Sequence, residues 1–182
     1  MVSRLWGLPD PRKAGSGNPG ATNVLRVGGK KAAIITLLGD VLKGSLPVMA
    51  AELLPVPALV VALVAFAALL GHVYPVFFRF RGGKGVATAF GVLTAISPLT
   101  GAGLLGIWLL VALLFRYSSL AALAAAVAAP FLLVAVVPSH RLLFFVMTLA
   151  MSLLLLWRHR RNIQNLLSGQ ETKIGAKAEK AQ

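Results

Sequence analysis

Six apolar stretches, separated by short polar segments, dominate the pattern of the chain after residue 31. They cover residues 32–50, 53–70, 86–97, 101–115, 120–137 and 142–157. Several are shorter than the ~20 residues of an untilted membrane-spanning helix, so we expect tilts, kinks or local thinning of the bilayer. The pattern predicts an all-α fold, a polytopic integral membrane helix bundle with about six spans. Residues 1–31 are polar and lack an apolar core, which predicts neither a signal peptide nor a starting transmembrane helix.

The composition narrows the class of protein further. Hydrophobic residues make up 58% of the 182 residues and charged residues 13%, and the mean hydropathy is +0.83. A soluble domain carries roughly a quarter charged residues, so an ordinary soluble enzyme, a disordered chain and a disulfide scaffold are excluded. The sequence contains no cysteine, which also excludes a cysteine nucleophile and a thiolate metal site.

Positive charge is concentrated in the polar segments. Lys and Arg number 18 against 5 acidic residues, which gives a net charge of +13. Three clusters hold most of it: Arg4, Arg12, Lys13, Arg26, Lys30 and Lys31; Arg79, Arg81 and Lys84; and Arg158, Arg160, Arg161, Lys173, Lys177 and Lys180. Such residues collect in cytoplasmic loops of membrane proteins, and binding of an anionic substrate is a compatible second cause. Nucleic acid is not expected as a partner, because the clusters lack interleaved aromatic residues.

The positions of the clusters predict the topology. If all three face the cytoplasm, an even number of spans must separate each neighbouring pair. This requires residues 86–97 and 101–115 to be separate spans, broken around Pro98 to Gly103. Both termini then lie inside, and Arg141 is left outside as a single exception.

Two charged residues interrupt the first apolar stretch. Asp40 and Lys43 stand three apart and share one face of a helix. A charge at the centre of a bilayer costs ~2.5–3.5 kcal/mol on insertion scales, so this face is expected to point into the bundle. Two interpretations stay open, a buried ion pair that fixes packing and a role in supporting a polar site.

The first polar segment, residues 15–26, is rich in glycine and in hydrogen-bonding side chains. Its glycines let the backbone approach a ligand closely. Ser16, Asn18, Thr22 and Asn23 offer hydroxyl and amide groups, and Arg26 offers a planar fork that suits phosphate. The alternative is a polar turn ahead of a helix, with Thr22 or Asn23 as the N-cap.

The second polar segment reads Gly82-Gly83-Lys84-Gly85 just before an apolar stretch. Backbone N–H groups at a helix N-terminus attract anions, and Lys84 adds a point charge, so this sequence predicts an anion cradle. The spacing of a Walker A loop is absent. The alternative is a basic cytoplasmic loop with flexible glycines, and His72 upstream is typical of a structural histidine at a helix end.

The third polar segment contains His159 and Asn162, which share a helix face, followed by Gly169 and Glu171. The alternative is an amphipathic basic tail on anionic lipid. The sequence shows no cluster of His, Asp and Glu with metal-ligand spacing, so neither a metal nor a cofactor is predicted. From these residues alone we predict a membrane protein that binds a phosphorylated small molecule at the cytoplasmic surface.

Together the motifs closely resemble the bacterial acyl-phosphate:glycerol-3-phosphate acyltransferase family, over nearly the whole chain from Gly7-Leu8-Pro9-Asp10-Pro11-Arg12 onward. The resemblance implies an enzyme of phospholipid biosynthesis in the bacterial cytoplasmic (inner) membrane, with its active site facing the cytoplasm. A fatty acyl group would move from acyl-phosphate to the 1-hydroxyl of glycerol 3-phosphate, giving 1-acyl-glycerol 3-phosphate and phosphate. The implied partners are these two substrates and membrane lipid; the oligomeric state is not predicted.

The resemblance also implies residue roles. The catalytic residues would be Ser16, Asn18, His159 and Asn162, and the substrate-binding residues Thr22, Asn23, Arg26, Gly82, Gly83, Lys84 and Gly85. Acyl-phosphate is already an activated mixed anhydride, so positioning and charge stabilisation suffice and no covalent nucleophile is needed. A substrate phosphate is favoured over His159 as the proton acceptor, because no acid lies close to His159 in the segment.

Two features depart from the family pattern. The family bundle has seven spans, and its first helix would end where Met1 falls. We therefore expect a single membrane-embedded acyltransferase domain over residues 1–182 that is N-terminally truncated or has a late start codon, with a basic cytoplasmic tail over 158–182. Asn165 stands where the family often has Arg. Two other functions stay open: a catalytically incompetent membrane fragment, and a small anion transporter, which the absence of an internal repeat disfavours.

Overall fold

The computed structural model describes residues 2–176, and within this range the chain is helical with no strand. The helices are α1 Val2–Leu5, α2 Ala21–Glu52, α3 Ala58–Val73, α4 Val86–Ile96, α5 Pro98–Phe115, α6 Ser118–Val136, α7 Arg141–Arg158 and α8 Arg160–Leu167, with a 3-10 turn at Val76–Phe78. The predicted all-α bundle is confirmed. Lys177 and Lys180 of the third basic cluster, the end of the predicted tail and Met1 lie outside the described residues.

The six apolar stretches correspond to six helices, of which five are long and apolar enough to cross a membrane. The exception is α4, which has 11 residues. At 1.5 Å per residue it is about 16 Å long, roughly half of the ~30 Å hydrocarbon core. The prediction of about six spans therefore holds for the number of apolar helices, but one of them reaches only halfway.

The break between α4 and α5 lies earlier than predicted, at Ser97 rather than around Pro98 to Gly103. The Ser97 hydroxyl accepts a hydrogen bond from the Thr100 N–H at 3.2 Å, and Pro98 occupies the first turn of α5. Serine at the N-cap followed by proline is a strong helix start. The serine and proline, not the downstream glycines, therefore set the boundary.

The surface of the bundle is that of a protein in lipid. Large apolar side chains along α5, such as Leu109, Leu113 and Leu114, are exposed, whereas Leu69, Leu133 and Met151 are buried between helices. A soluble protein rarely exposes contiguous apolar surface on this scale. Backbone polar groups are satisfied inside the helices, as the hydrocarbon region requires.

Helices α2 and α4 pack with their backbones nearly in contact. A Cβ on Gly44 of α2 would overlap the carbonyl oxygen of Thr88, and a Cβ on Gly91 of α4 would overlap that of Val41. Small residues permit such close approach between helices in membranes. The packing fixes the beginning of α4 against the middle of α2.

Helix α2 is bent at Gly29, whose φ of 81° is not helical. Its 32 residues would measure about 48 Å if straight, well beyond the ~30 Å hydrocarbon core. The bend separates a short polar piece, which carries Thr22 and Asn23, from the apolar span. The N-cap is Gly20 without a side-chain cap bond, so the alternative role of Thr22 or Asn23 as the N-cap is wrong.

One end of the bundle gathers the polar segments. The Thr22 and Ser118 hydroxyls lie 3.3 Å apart and join the starts of α2 and α6. Lys84, just before α4, donates to Asn162 on α8. The predicted convergence of the three segments at one end of the bundle is therefore confirmed, and Arg26, Lys84 and Arg158 of the basic clusters lie at this same end.

Candidate active site

A cavity of about 560 Å³ opens where the three polar segments meet and extends between α2, α4, α5, α6 and α7. Nine of the predicted site residues line it: Ser16, Asn18, Thr22, Asn23, Arg26, Lys84, Gly85, His159 and Asn162. Its volume lies within the ~300–1,000 Å³ of typical ligand sites. We call the end lined by these residues the mouth of the cavity.

Lys84 is a cation held by a hydrogen bond at the mouth. Its Nζ donates to Asn162 Oδ1 at 2.6 Å. The Asn162 amide in turn donates to Glu171 Oε1 at 2.7 Å, and the Ser119 hydroxyl donates to the same oxygen at 2.6 Å. Burial lowers the pKa of Lys84, and the nearby Glu171 carboxylate opposes that shift. These linked hydrogen bonds hold the Lys84 ammonium group at the mouth of the cavity, where an anion can reach it.

Arg26 provides a second cation beside the first. It projects from the polar piece of α2, and its Nη2 donates to the Thr172 carbonyl oxygen at 3.3 Å. Lys84 and Arg26 are close enough for each charge to disfavour the other, since Arg26 contributes to the lowering of the Lys84 pKa. Two cations held this way form a site suited to a phosphate or another dianion.

Gly82 and Gly83 do not line the cavity in the part of the chain that the structure describes. The Gly82 N–H donates to the Val73 carbonyl at 3.2 Å, and Cβ atoms at the two positions would overlap the His72 backbone and ring. Their glycine identity serves close approach to the end of α3. The Gly82 N–H is therefore used within the protein, and a role of the two glycines in substrate binding stays a prediction.

Backbone N–H groups that can attract an anion lie next in the chain, at the start of α4. Gly85 is its N-cap, with a φ of 91° that glycine adopts without strain. Gly85, Val86 and Ala87 line the cavity. The first N–H groups of a helix have no partner within it and carry the positive end of its dipole. Lys84 and this helix start thus act on the same space.

Asn23 is buried, and its amide is used within the protein. Its Nδ2 donates to the carbonyl oxygens of Pro11 at 2.8 Å and Ala14 at 3.0 Å. Its Oδ1 accepts from the Ser16 N–H at 2.9 Å. Both amide hydrogens are thereby used, so the predicted substrate contact by Asn23 is not what its geometry favours. It positions the preceding loop and with it Ser16.

His159 sits between α7 and α8 and is only 3% exposed. Its Nδ1 lies 2.8 Å from the Leu155 carbonyl oxygen. A carbonyl oxygen only accepts, so Nδ1 carries the hydrogen, and the neutral ring presents Nε2 as an acceptor. Burial lowers the pKa of His159 to about 4. The imidazole is therefore neutral at physiological pH.

The intramembrane acid lies beside the cavity. Asp40 is buried and paired with Lys43, whose side chain is 46% exposed. Its carboxylate also lies 3.6 Å from His72 Nδ1, and both Asp40 and His72 line the cavity. The expectation that this face points into the bundle holds for Asp40 but not for Lys43. Both open interpretations find support, because the ion pair exists and its acid borders the polar site.

Sequence reasoning missed several residues of the mouth. Ser118, Ser119, Glu171 and Thr172 line it. Arg158 donates to the carbonyl oxygens of Gly82 at 3.2 Å and Gly83 at 3.3 Å and so holds the loop before Lys84. Glu171 offered one signal, as an isolated acid in a basic tail, but an isolated acid is usually a solvated surface residue.

A profile of the family described as "Glycerol-3-phosphate acyltransferase" matches residues 1–169 of the chain. The chain belongs to the glycerol-3-phosphate acyltransferase family. A "Glycerol-3-phosphate acyltransferase" of Burkholderia cenocepacia (strain HI2424) is 56% identical over 183 residues, covering 100% of this chain and 85% of the relative. One from Burkholderia ambifaria (strain ATCC BAA-244 / DSM 16087 / CCUG 44356 / LMG 19182 / AMMD) is 58% identical over 182 residues, with the same coverage.

Two crystal structures of an acyltransferase in this family share the fold. One is PlsY (YgiH), "an integral membrane glycerol 3-phosphate acyltransferase", in its glycerol 3-phosphate form. It is 40% identical, with a TM-score of 0.89, over 96% of this chain and 86% of that chain. Its lysophosphatidic acid form has a TM-score of 0.82 over 88% and 81% of the two chains. The acyltransferase described here is accordingly a multi-pass integral membrane protein.

Proposed function

We propose that this protein transfers a fatty acyl group from acyl-phosphate to the 1-hydroxyl of glycerol 3-phosphate, giving 1-acyl-glycerol 3-phosphate and phosphate. The observation that carries the proposal is a single cavity with Lys84 and His159 at its mouth and apolar side chains deeper inside. Names of relatives support the acceptor and the reaction. The two ligand forms of the related crystal structure support glycerol 3-phosphate as substrate and a lysophosphatidic acid as product.

The reaction asks little covalent chemistry of the protein. The 1-hydroxyl oxygen attacks the carbonyl carbon of acyl-phosphate, a new carbon–oxygen ester bond forms, and the bond from carbon to the phosphate oxygen breaks. Phosphate leaves with the electron pair, and the hydroxyl proton passes to phosphate. The protein then contributes by orienting two anionic substrates and by stabilising charge that develops in the transition state.

Lys84 and Arg26 are assigned to the phosphate groups, together with the start of α4. Asn162 presents its oxygen to Lys84 at 2.6 Å, and Glu171 holds the amide of Asn162 at 2.7 Å. This pairing fixes the direction of the ammonium group before substrate arrives. Ser16, Asn18 and Thr22 line the same mouth and supply neutral hydrogen-bonding groups for the glycerol hydroxyls.

His159 is assigned to the attacking hydroxyl. Its bare Nε2 can accept the hydroxyl hydrogen bond and so direct the oxygen lone pair toward the carbonyl carbon. A group with a pKa of about 4 holds a proton poorly at neutral pH, whereas phosphate titrates near pH 6–7. We therefore assign the final proton to the departing phosphate and an orienting role to His159.

The proposed location is the bacterial inner membrane, with the mouth facing the cytoplasm. The starts of α2, α4 and α6 and the end of α7 meet at the mouth, and the basic residues Arg26, Lys84, Arg116 and Arg158 lie at these helix ends. Lys and Arg enrichment marks the cytoplasmic side of a multi-pass protein. We further propose that the chain forms one membrane-embedded domain.

The test is formation of 1-acyl-glycerol 3-phosphate by the protein purified into lipid nanodiscs and given palmitoyl-phosphate. With glycerol 3-phosphate present we expect equal amounts of product and released phosphate. Glycerol, which lacks the phosphate, serves as the matched acceptor control and should give little of either. Phosphate release without ester formation would contradict the proposal, and so would equal rates with both acceptors. In sealed vesicles that contain the same protein, movement of phosphate across the membrane without any ester formation would favour a transporter instead.

A further inference from the structure

The cavity continues below the mouth as an apolar pocket built from one face of α6 and one face of α7. On α6 its lining residues are Ala122, Ala125, Ala126 and Ala129, and on α7 they are Thr148, Met151, Ser152 and Leu155. Within each helix these positions recur at intervals of three and four residues (122, 125 and 126, 129; 148, 151 and 152, 155), which is the spacing of a single helical face. The pocket therefore runs along the helix axes, away from the polar mouth.

The depth of the pocket is the same when it is measured along α6 and along α7. From Ser118 at the mouth to Ala129 the lining advances 11 residues along α6, and from His159 to Thr148 it advances 11 residues along α7. At 1.5 Å per residue each distance is about 16 Å. One leaflet of a bilayer, half of a ~30 Å core, is about 15 Å thick. The pocket is therefore about as deep as an ordinary membrane acyl chain is long.

The far end of the pocket, which we call its floor, lies among buried residues. Its deepest lining residues are Leu93 of α4, Leu104 of α5, Ala129 of α6 and Thr148 of α7, and all four are buried. On α6 the wall consists of alanines, whose small side chains leave space for a ligand between the helices. The Ser152 hydroxyl donates to the Ala126 carbonyl at 2.6 Å and holds α7 against α6. Close-packed residues of this kind resist expansion, so a chain that reaches the floor cannot extend further along the helix axes without strain.

We infer that this floor sets the length of the acyl chain that the enzyme accepts, with Ala129 and Leu104 as the specificity-determining residues. The inference rests on the proposed function, since it takes the acyl-phosphate donor as the molecule whose phosphate lies at the mouth. The smallest floor side chain, Ala129, leaves room that a larger side chain would fill. Truncation of Leu104 would extend the pocket.

The experiment measures binding of straight-chain alkyl phosphates, from octyl to octadecyl phosphate, which carry no transferable acyl group. Trp108 lines the cavity, so the intrinsic fluorescence of the protein in nanodiscs reports occupancy. We expect the affinity of the unmodified protein to rise with each added methylene until the chain reaches the floor, and then to stop rising. The chain length at which the rise stops is the quantity compared between variants.

Two variants should change, in opposite directions, the chain length at which the affinity stops rising. Ala129→Leu should shift the chain length at which affinity stops rising to shorter chains and weaken binding of hexadecyl phosphate by about tenfold, because about two methylenes lose their place. Leu104→Ala should shift it to longer chains. Ala128→Leu, one residue away on α6 and outside the cavity lining, is the matched control and should leave it unchanged. Longer chains also partition more strongly into the lipid. This contribution to the measured affinity is the same for all variants and cancels when they are compared.

The same variants are then assayed for acyl transfer with lauroyl-, palmitoyl- and stearoyl-phosphate. Matching shifts in binding and in donor preference would support the inference. An identical stopping length in all four proteins would overturn it, even if transfer from acyl-phosphate were observed. Binding that shifts as described without any ester formation would leave the pocket assignment standing and overturn the proposed function.

Discussion

The mouth and the floor of the cavity are built by different means. At the mouth, side chains from distant segments reach one another through hydrogen bonds, such as those that link Lys84, Asn162 and Glu171. At the floor, Leu93, Leu104, Ala129 and Thr148 of four different helices pack against one another without side-chain hydrogen bonds. Recognition of a charged group depends on polar side chains held in fixed positions. Binding of an alkyl chain depends only on the shape of an apolar pocket. We therefore expect substitutions at the mouth to affect the reaction and substitutions at the floor to affect the choice of donor.

The largest effect is expected from Lys84→Ala at the mouth. Removing a fixed cation from the developing charge should lower the rate of acyl transfer by about a hundredfold or more. Initial rates of ester formation with palmitoyl-phosphate measure this loss. Arg81→Ala, an exposed residue of the same loop, is the matched control and should retain the rate. Equal rates in the two variants would remove the assigned role of Lys84.

The pH dependence of the protein's stability should come in part from His159 at the mouth. The pKa of His159 is about 4 in the folded protein and near 6.5 when unfolded. Between these values the unfolded state binds more protons, so the folded state loses stability as pH falls from about 6.5 toward 4, by up to about 3 kcal/mol from this group. Thermal unfolding midpoints across this pH range should fall more steeply for the unmodified protein than for His159→Gln. Parallel curves would contradict the buried neutral imidazole.

A smaller effect is expected at the α2–α4 contact, which supports both ends of the cavity. Gly44→Ala should destabilise the protein by about 2 kcal/mol, because its Cβ would overlap the Thr88 carbonyl oxygen. Gly39→Ala is the matched control on the same helix, where a Cβ has open space. It should be neutral or slightly stabilising, since alanine favours helix over glycine by about 1 kcal/mol. Thermal midpoints that drop equally for both variants would contradict the close packing.

The mouth was more predictable from the sequence than the floor. Polar residues inside so apolar a chain stand out, and Lys84, His159 and Asn162 could be singled out from composition and spacing. The close approach of Gly82 and Gly83 to the end of α3 could not be foreseen, because a glycine that admits a ligand and one that admits a neighbouring backbone look alike in sequence. Arg158 and Glu171 were missed because single charges in a basic tail usually face solvent.

The floor gave no signal in the sequence. Ala129 and Leu104 belong to apolar stretches that contain both buried and exposed side chains, and their helices have no strongly polar face to show which side is buried. Which apolar side chains line a cavity depends on how the helices pack. The fold class and the positions of the apolar helices followed from hydropathy, but the halfway length of α4 depended on the cap at Ser97.

The central claim is that one cavity binds a phosphate at the mouth and an alkyl chain below it. The most direct measurement compares the dissociation constants of hexadecyl phosphate and hexadecanol for the unmodified protein and for Lys84→Ala, both in nanodiscs. We predict that the unmodified protein prefers the phosphate by about tenfold or more, as expected for a charge-assisted bond. The preference should shrink toward unity in Lys84→Ala, while the chain length at which affinity stops rising stays the same. An equal preference for the phosphate in both proteins would contradict the account.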